Sequence, residues 1–158
     1  ALTLADGPVG FRRLVAEGWD DAARTFAMRQ LEGGPVVVAP MVHIEGEHAV
    51  HGLVLAHGGV EVGAPMHQRA VGGAWRASTP MAKGDPLAEA LRACGEGVGA
   101  ELRDLGFRGP YGIDAFTWRD GSGRERLHVP SEVNPRLTMG FARSGLLPVM
   151  RASLRSGR

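Results

Sequence analysis

Apolar positions along the chain alternate over several short stretches and follow a helical period over one longer stretch. Leu2-Thr3-Leu4 begins as a strand, Asp6 to Gly10 reads as a turn, and Phe11 to Ala16 as a returning strand. Asp20 is placed to cap a helix reaching about Leu31, and Gly33-Gly34 would stop it. Val36 to Met41 is a fully apolar strand whose edge or end Pro40 marks. From Gly46 to Gly63 the pattern predicts a hairpin, His48 to Ala56 and Val60 to Val62, around His57-Gly58-Gly59. Residues 64–84 are rich in Gly, Pro and Ala and predict loops with short strands. Pro86 suits a helix start, and Leu87, Leu91, Cys94, Val98 and Leu102 form a helical stripe that ends at Gly106. Two strands follow, Tyr111 to Trp118 and Arg126 to Asn134, around the polar loop 119–123. A last helix is expected from about Thr138 to Gly145. The apolar strand after Gly33-Gly34 opens a new packing unit, so the expected division is 1–34 and 35–158.

Composition narrows the classes. The 158 residues suffice for one domain with a real core, and an apolar share of 44% is that of a globular chain. No apolar run approaches the roughly 20 residues needed to span a bilayer, and no signal-peptide pattern precedes the first strand. No membrane association is expected, and a cytoplasmic location is. A net charge of +1, with scattered arginines and Lys83 as the only lysine, gives no case for nucleic acid. The single cysteine, Cys94, excludes an internal disulfide and reads as a filler on the helical stripe. The chain starts at Ala1 inside sequence that already reads as folded, so a piece of a longer protein is expected.

The chemistry concentrates in the last third. Asp114 lies in one apolar strand, and Glu132 and Asn134 lie in the next, with Arg136 two residues further. Side chains two apart on a strand share a face, so Glu132 and Asn134 point together while Val133 points away. If the strands pair in register around their loop, Asp114 reaches the same cleft. Oxygen ligands of this kind suit Mg²⁺ and, less exclusively, Mn²⁺. Two neighbouring carboxylates repel unless a cation or an arginine intervenes, and a fixed guanidinium suits a phosphoryl group. The plainer alternative puts Asp114 at a sheet margin and makes Glu132 and Arg136 an ordinary surface pair.

These residues carry a resemblance. The run from Gly106 to Phe116, followed by Pro130 to Thr138, resembles the two terminal metal-binding strands of the ATP-grasp superfamily, whose second strand reads Glu-x-Asn-x-Arg. The resemblance implies an α+β fold, an antiparallel sheet with packed helices, with an N-terminal portion missing. It also implies ATP with Mg²⁺ (or Mn²⁺) as cofactors, Asp114, Glu132 and Asn134 as metal ligands, and Arg136 as the catalytic group facing phosphate or acyl phosphate. The substrates it implies are a small-molecule carboxylate and an amine, or a thiol. The rest of the same protein would be a partner, and a homodimer is left open. More weakly, the strand Val36 to Val42 resembles the hinge that meets adenine, with Val38, Ala39 and Met41 as its contacts. Ala39 stands near the place where the family often has glutamate. Glu47 resembles a ribose-facing or cleft-ordering glutamate, and Asp6 to Gly10 resembles a degenerate phosphate-covering loop in which Gly7 and Gly10 admit close approach. On this resemblance 1–34 is a remnant of the small subdomain and 35–158 is the main subdomain. The strand-borne lysines usual in the family have no counterpart in residues 1–5, and Lys83 lies in another region.

Other residues invite competing readings. His43, Glu45, Glu47, His48 and His51 suggest zinc, although His-Glu-x-x-His is absent. Surface or cleft-lining histidines are the plainer expectation. Trp75 reads as core or, with His67, Arg69 and Arg76, as an acceptor-side wall. Ser144 and Ser153 lack the context of a hydrolase triad. Two functions remain: an ATP- and Mg²⁺-dependent ligase forming an acyl phosphate and passing it to an amine, or a noncatalytic nucleotide-binding or structural remnant.

Overall fold

The computed structural model describes residues 2–6, 10–14, 20–35, 38–40, 42–71 and 74–156. The chain divides into two units, Ala1–His43 and Ile44–Arg158. In the first, β1 (Leu2–Asp6) pairs antiparallel with β2 (Gly10–Leu14) on one side and β3 (Val38–Pro40) on the other. Of the strand expected in the main subdomain at 36–41, residues 38–40 pair with β1. The helix α1 (Asp21–Gly33) starts where expected, because the Asp20 carboxylate accepts from Ala23 N at 2.6 Å and satisfies a free amide of the first turn. Its buried face is small, Ala23 and Ala27 with Phe26 against them. The expected turn at 7–9 and residues 36, 37 and 41 lie outside the described residues.

The second unit is an antiparallel sheet built around one long strand, β4 (Ile44–Val54). On one side of β4 lie β8 (Gly109–Arg119) and then β9 (Glu125–Asn134). Its other side is shared end to end by β5 (Val60–Val62) and β6 (Met66–Val71), and β7 (Ala74–Pro80) pairs with β6. The hairpin at 48–62 and the β8–β9 pair thus follow the sequence pattern. The β6–β7 pair is longer than loops and short strands: its residues gain order from pairing with β4, a non-local effect that composition does not show.

The helix α2 (Pro86–Asp104) covers one face of this sheet. Asp85 caps it through Leu87 N at 2.8 Å, and proline occupies its first position, where no amide is missed. Its stripe behaves as expected. Leu91 is fully buried, and Leu87, Cys94, Val98 and Leu102 pack on Val50, Val54, Tyr111, Ile113 and Ala115. Burial raises the Cys94 thiol pKa, as befits a filler. Among the described residues no helix is long and apolar enough to cross a membrane.

The last helix lies elsewhere than expected. Residues 141–143 form only a 3-10 turn, and α3 runs from Leu147 to Ser156. Gly145 adopts a positive φ of 86°, which a continuing helix does not allow, while Pro148 is tolerated in a first turn. Phe141 and Leu146, with Leu147, Val149 and Met150, close over Leu53 and Leu55.

Tyr111 ties α2 to the sheet. Its hydroxyl donates to Gly95 O at 2.8 Å, and a Cβ on Gly99 would collide with that hydroxyl and with Val60. Gly97 has open space around it. Two neighbouring Gly→Ala changes in one helix are therefore expected to have opposite signs. Gly97→Ala should stabilise by up to about 1 kcal/mol through helix propensity. Gly99→Ala should destabilise by about 1–3 kcal/mol through overpacking. Urea midpoints of the two variants decide it.

Candidate functional site

Strand register gathers the acidic residues. Across β8 and β9, Asp114 lies opposite Glu132, and Gly112 opposite Asn134. Across β4 and β8, Glu47 lies opposite Phe116, and Glu47 in turn faces Gln68 on β6. Directly opposed residues on antiparallel strands share a face, so Glu47, Gln68, Asp114, Glu132 and Asn134 line one side of the sheet. Ile113 and Val50 line the other, beneath α2. Register shifts between Asp114 and Phe116, where Pro130 interrupts the edge strand β9 without a backbone donor. The hairpin loop holds this register from its far end. Asp120 accepts from Ser122 N, Ser122 Oγ and Arg124 N, and binds Arg126 Nε at 2.7 Å.

Asp114 is the centre of the group. Its Oδ1 accepts from Gln68 Nε2 at 3.0 Å and its Oδ2 from Asn134 Nδ2 at 3.2 Å. The second end of Asn134, which is 8% exposed, accepts from Arg136 Nη2 at 3.0 Å. Burial raises the Asp114 pKa, and the charges of Glu132 and Glu47 add to the rise. The Gln68 hydrogen bond and Arg136 work against it. Glu132 itself is exposed. The arrangement is a half-buried carboxyl bridged by amides to a guanidinium, with two further carboxylates on the same face.

Asp114, Glu132, Asn134 and Arg136 therefore come together on one face, and Glu47 joins them. Asp114 lies on β8, between β4 and β9 rather than at the sheet margin, and Asn134 bonds both Asp114 and Arg136. Val38, Ala39 and Gly10 lie in β3 and β2 of the first unit; Gly7 and Met41 lie outside the described residues. The zinc set does not assemble. His48 and His51 project to opposite faces, toward Thr117 and Thr138 respectively, and Glu45 pairs with Arg119 at 3.0 Å. Among the described residues no three His, Cys, Asp or Glu side chains form a group able to hold a metal. Trp75 is half-buried and donates to the buried Ser78 Oγ at 2.9 Å. His67 meets His48 on the face away from Asp114. Gln68 was not singled out by the sequence pattern. Its polarity beside buried Met66 is the local signal, and only the β4–β6 register gives it meaning.

The fold is α+β with an antiparallel sheet and packed helices. No protein-family model matches the chain, and no curated protein sequence matches it. Solved structures do share the fold. The N5-carboxyaminoimidazole ribonucleotide synthetase from Thermus thermophilus matches with TM-score 0.56 and 20% identity, over 86% of this chain and 35% of its own. The same synthetase from Thermotoga maritima matches with TM-score 0.53 and 16% identity, over 94% of this chain and 34% of its own. The N5-carboxyaminoimidazole synthase from Aspergillus clavatus, in complex with ADP and 5-aminoimidazole ribonucleotide, gives TM-score 0.56 and 15% identity, over 87% and 34%. The chain spans about a third of the length of these proteins.

On the same face as Asp114, His51 is 2% exposed, and burial pushes its pKa down to about 4. Its folded value lies below the unfolded value of about 6.5, so unfolding takes up a proton between the two. The stability it contributes is complete above pH 6.5 and is lost as pH falls toward 4. The expected loss is on the order of 3 kcal/mol at pH 4. Urea midpoints across pH 7 to 4 measure the loss, and the His51 ring signals in NMR should not titrate near 6.5.

Proposed function

We propose that this chain carries the metal- and phosphate-binding strands of an ATP- and Mg²⁺-dependent ligase that joins a carboxylate to an amine. The observation that carries the reading is the convergence of Asp114, Glu132, Asn134 and Arg136 on one sheet face, linked through Asn134. The donor set suits the implied cation: two carboxylates and one amide, all oxygen ligands, with Mn²⁺ acceptable in place of Mg²⁺. Such a cation would neutralise phosphate charge beside Asp114, Glu132 and Asn134. A substrate carboxylate oxygen would attack the γ-phosphorus of ATP, release ADP and form an acyl phosphate. An amine would then attack the acyl carbon and release inorganic phosphate. Arg136 would hold the transferring phosphoryl oxygens, while Asn134, bonded to both Asp114 and Arg136, sets their separation. The contribution of these residues is positioning and charge compensation. Glu47, on the same sheet face, is proposed to order the ribose side. Structures of the same fold are synthetases that by name place a carboxy group on an amine, and one holds ADP with an aminoimidazole ribonucleotide. That supports an amine acceptor over a thiol.

One observation favours the noncatalytic reading. The only lysine, Lys83, lies exposed between β7 and α2 rather than on a strand near the acidic group. Mg²⁺-dependent ADP binding without ADP release from ATP, across a panel of carboxylates and amines, would select that reading.

Calorimetry of ADP with and without Mg²⁺ tests the site. Glu132→Gln is expected to weaken Mg²⁺-dependent ADP binding by tenfold or more at limiting Mg²⁺. Its urea midpoint should stay close to that of the unaltered chain, because Glu132 is exposed. Unchanged affinity would remove Glu132 from the metal set. Arg136→Ala should lower phosphoryl transfer on the order of a hundredfold while sparing adenosine recognition. Equal turnover in the two proteins would reject its assigned role.

A further inference from the structure

Beyond Asn134 the chain leaves the sheet, and Arg136 stands on a short connection that runs to the 3-10 turn at Phe141. Arg136, Leu137 and Met139 are exposed, and Thr138 is the partly buried residue between them. Thr138 Oγ1 lies 3.0 Å from His51 Nδ1, and Phe141 N donates to Thr138 O at 3.1 Å. His51 belongs to the central strand β4 and lies opposite Gly112, which in turn faces Asn134.

The surroundings are shaped to this pair. A Cβ on Gly112 would press on Thr138 Oγ1 at 2.7 Å and on Thr138 Cγ2 at 2.9 Å. A Cβ on Gly140 would collide with His51 Nε2, and the Phe141 ring meets the imidazole edge-on at a centroid distance of 6.4 Å. His51 Nε2 is buried and has no hydrogen-bond partner among the described residues. An orphaned buried nitrogen is unfavourable, and an apolar ring would fill the same space without that cost. Packing alone therefore does not account for an imidazole here. Among the described residues the ring's one hydrogen-bond partner is Thr138.

We propose that His51 is a positioning residue for Arg136: it pins the 135–140 connection to the sheet through Thr138 and so fixes the approach of the guanidinium to Asn134 and the acidic group. Arg136 N also donates to Asn134 O at 2.7 Å, so the connection is tied close to β9 at its start and to β4 at Thr138. Between these two ties the direction of the Arg136 side chain is set by the backbone rather than by solvent. The inference rests on the ligase reading for its functional consequence, though the pinning itself does not.

Thr138→Val removes the hydroxyl at nearly constant volume, and Thr138→Ser keeps it. Hydrogen exchange and calorimetry on both variants test the proposal. In Thr138→Val the amides of 136–140 should exchange about tenfold faster, the equivalent of one lost hydrogen bond, with β4 and β8 amides unchanged. Mg²⁺-dependent ADP affinity should fall about tenfold, adenosine affinity should hold, and Thr138→Ser should restore both exchange and affinity. Unchanged exchange in Thr138→Val overturns the pinning. Equal loss of ADP and adenosine affinity, or equal loss in the Ser variant, overturns the link to Arg136 and leaves a purely structural contact. If the unaltered chain shows no Mg²⁺-dependent ADP binding, the ligase reading fails, and the exchange comparison still decides the pinning.

Discussion

Two hydrogen bonds received by Asp114, one from Gln68 and one from Asn134, join β6, β8 and β9 on one side of the sheet. They compensate a carboxyl that burial and two neighbouring carboxylates push toward its neutral form. Remove either donor and a half-buried acid is left facing like charge. The register of three strand pairings must therefore hold together for this group to exist, and the features around it serve that register. Asp120 fixes the β8–β9 loop, α2 seals the opposite face, and β6 reaches β4 in the right phase to bring Gln68 beneath Asp114.

Charge in this group is balanced through Asn134. Asn134 spends its amide on Asp114 and its carbonyl on Arg136, so positive and negative groups are coupled through one neutral side chain. On the proposed metal reading, a cation would compete with Arg136 for that carbonyl oxygen, whereas the exposed Glu132 would be reached directly.

Much of this was legible along the chain because the determinants are local. Glu132 and Asn134 lie two apart, so strand alternation puts them on one face before any partner is known, and Arg136 follows two residues later. The stripe from Leu87 to Leu102 gives α2 its buried side, and Asp20 and Pro86 announce two helix starts. What stayed hidden depends on distant pairing. The β6–β7 strands lie in a segment, 64–84, whose Gly, Pro and Ala content hides them, and β4 supplies their order. The expected helix over 138–145 gave way to a single 3-10 turn because Gly145 reverses the backbone there. His51 was visible as a polar residue in an apolar strand, but its partner lies 87 positions away, beyond the reach of any spacing rule.

The joint between β5 and β6 has a consequence for the end of the chain. Gly63 crosses there with its amide on His51 O, and the next amide, Ala64 N, donates to Ser144 O at 2.9 Å. A side chain on Gly63 would strike Ser144. The tail after β9 is thus stitched into the same seam that lets two short strands share one edge of β4. Trimming the protein after Asn134 would unpick that seam from behind, so the smallest self-supporting version of this sheet includes its C-terminal segment.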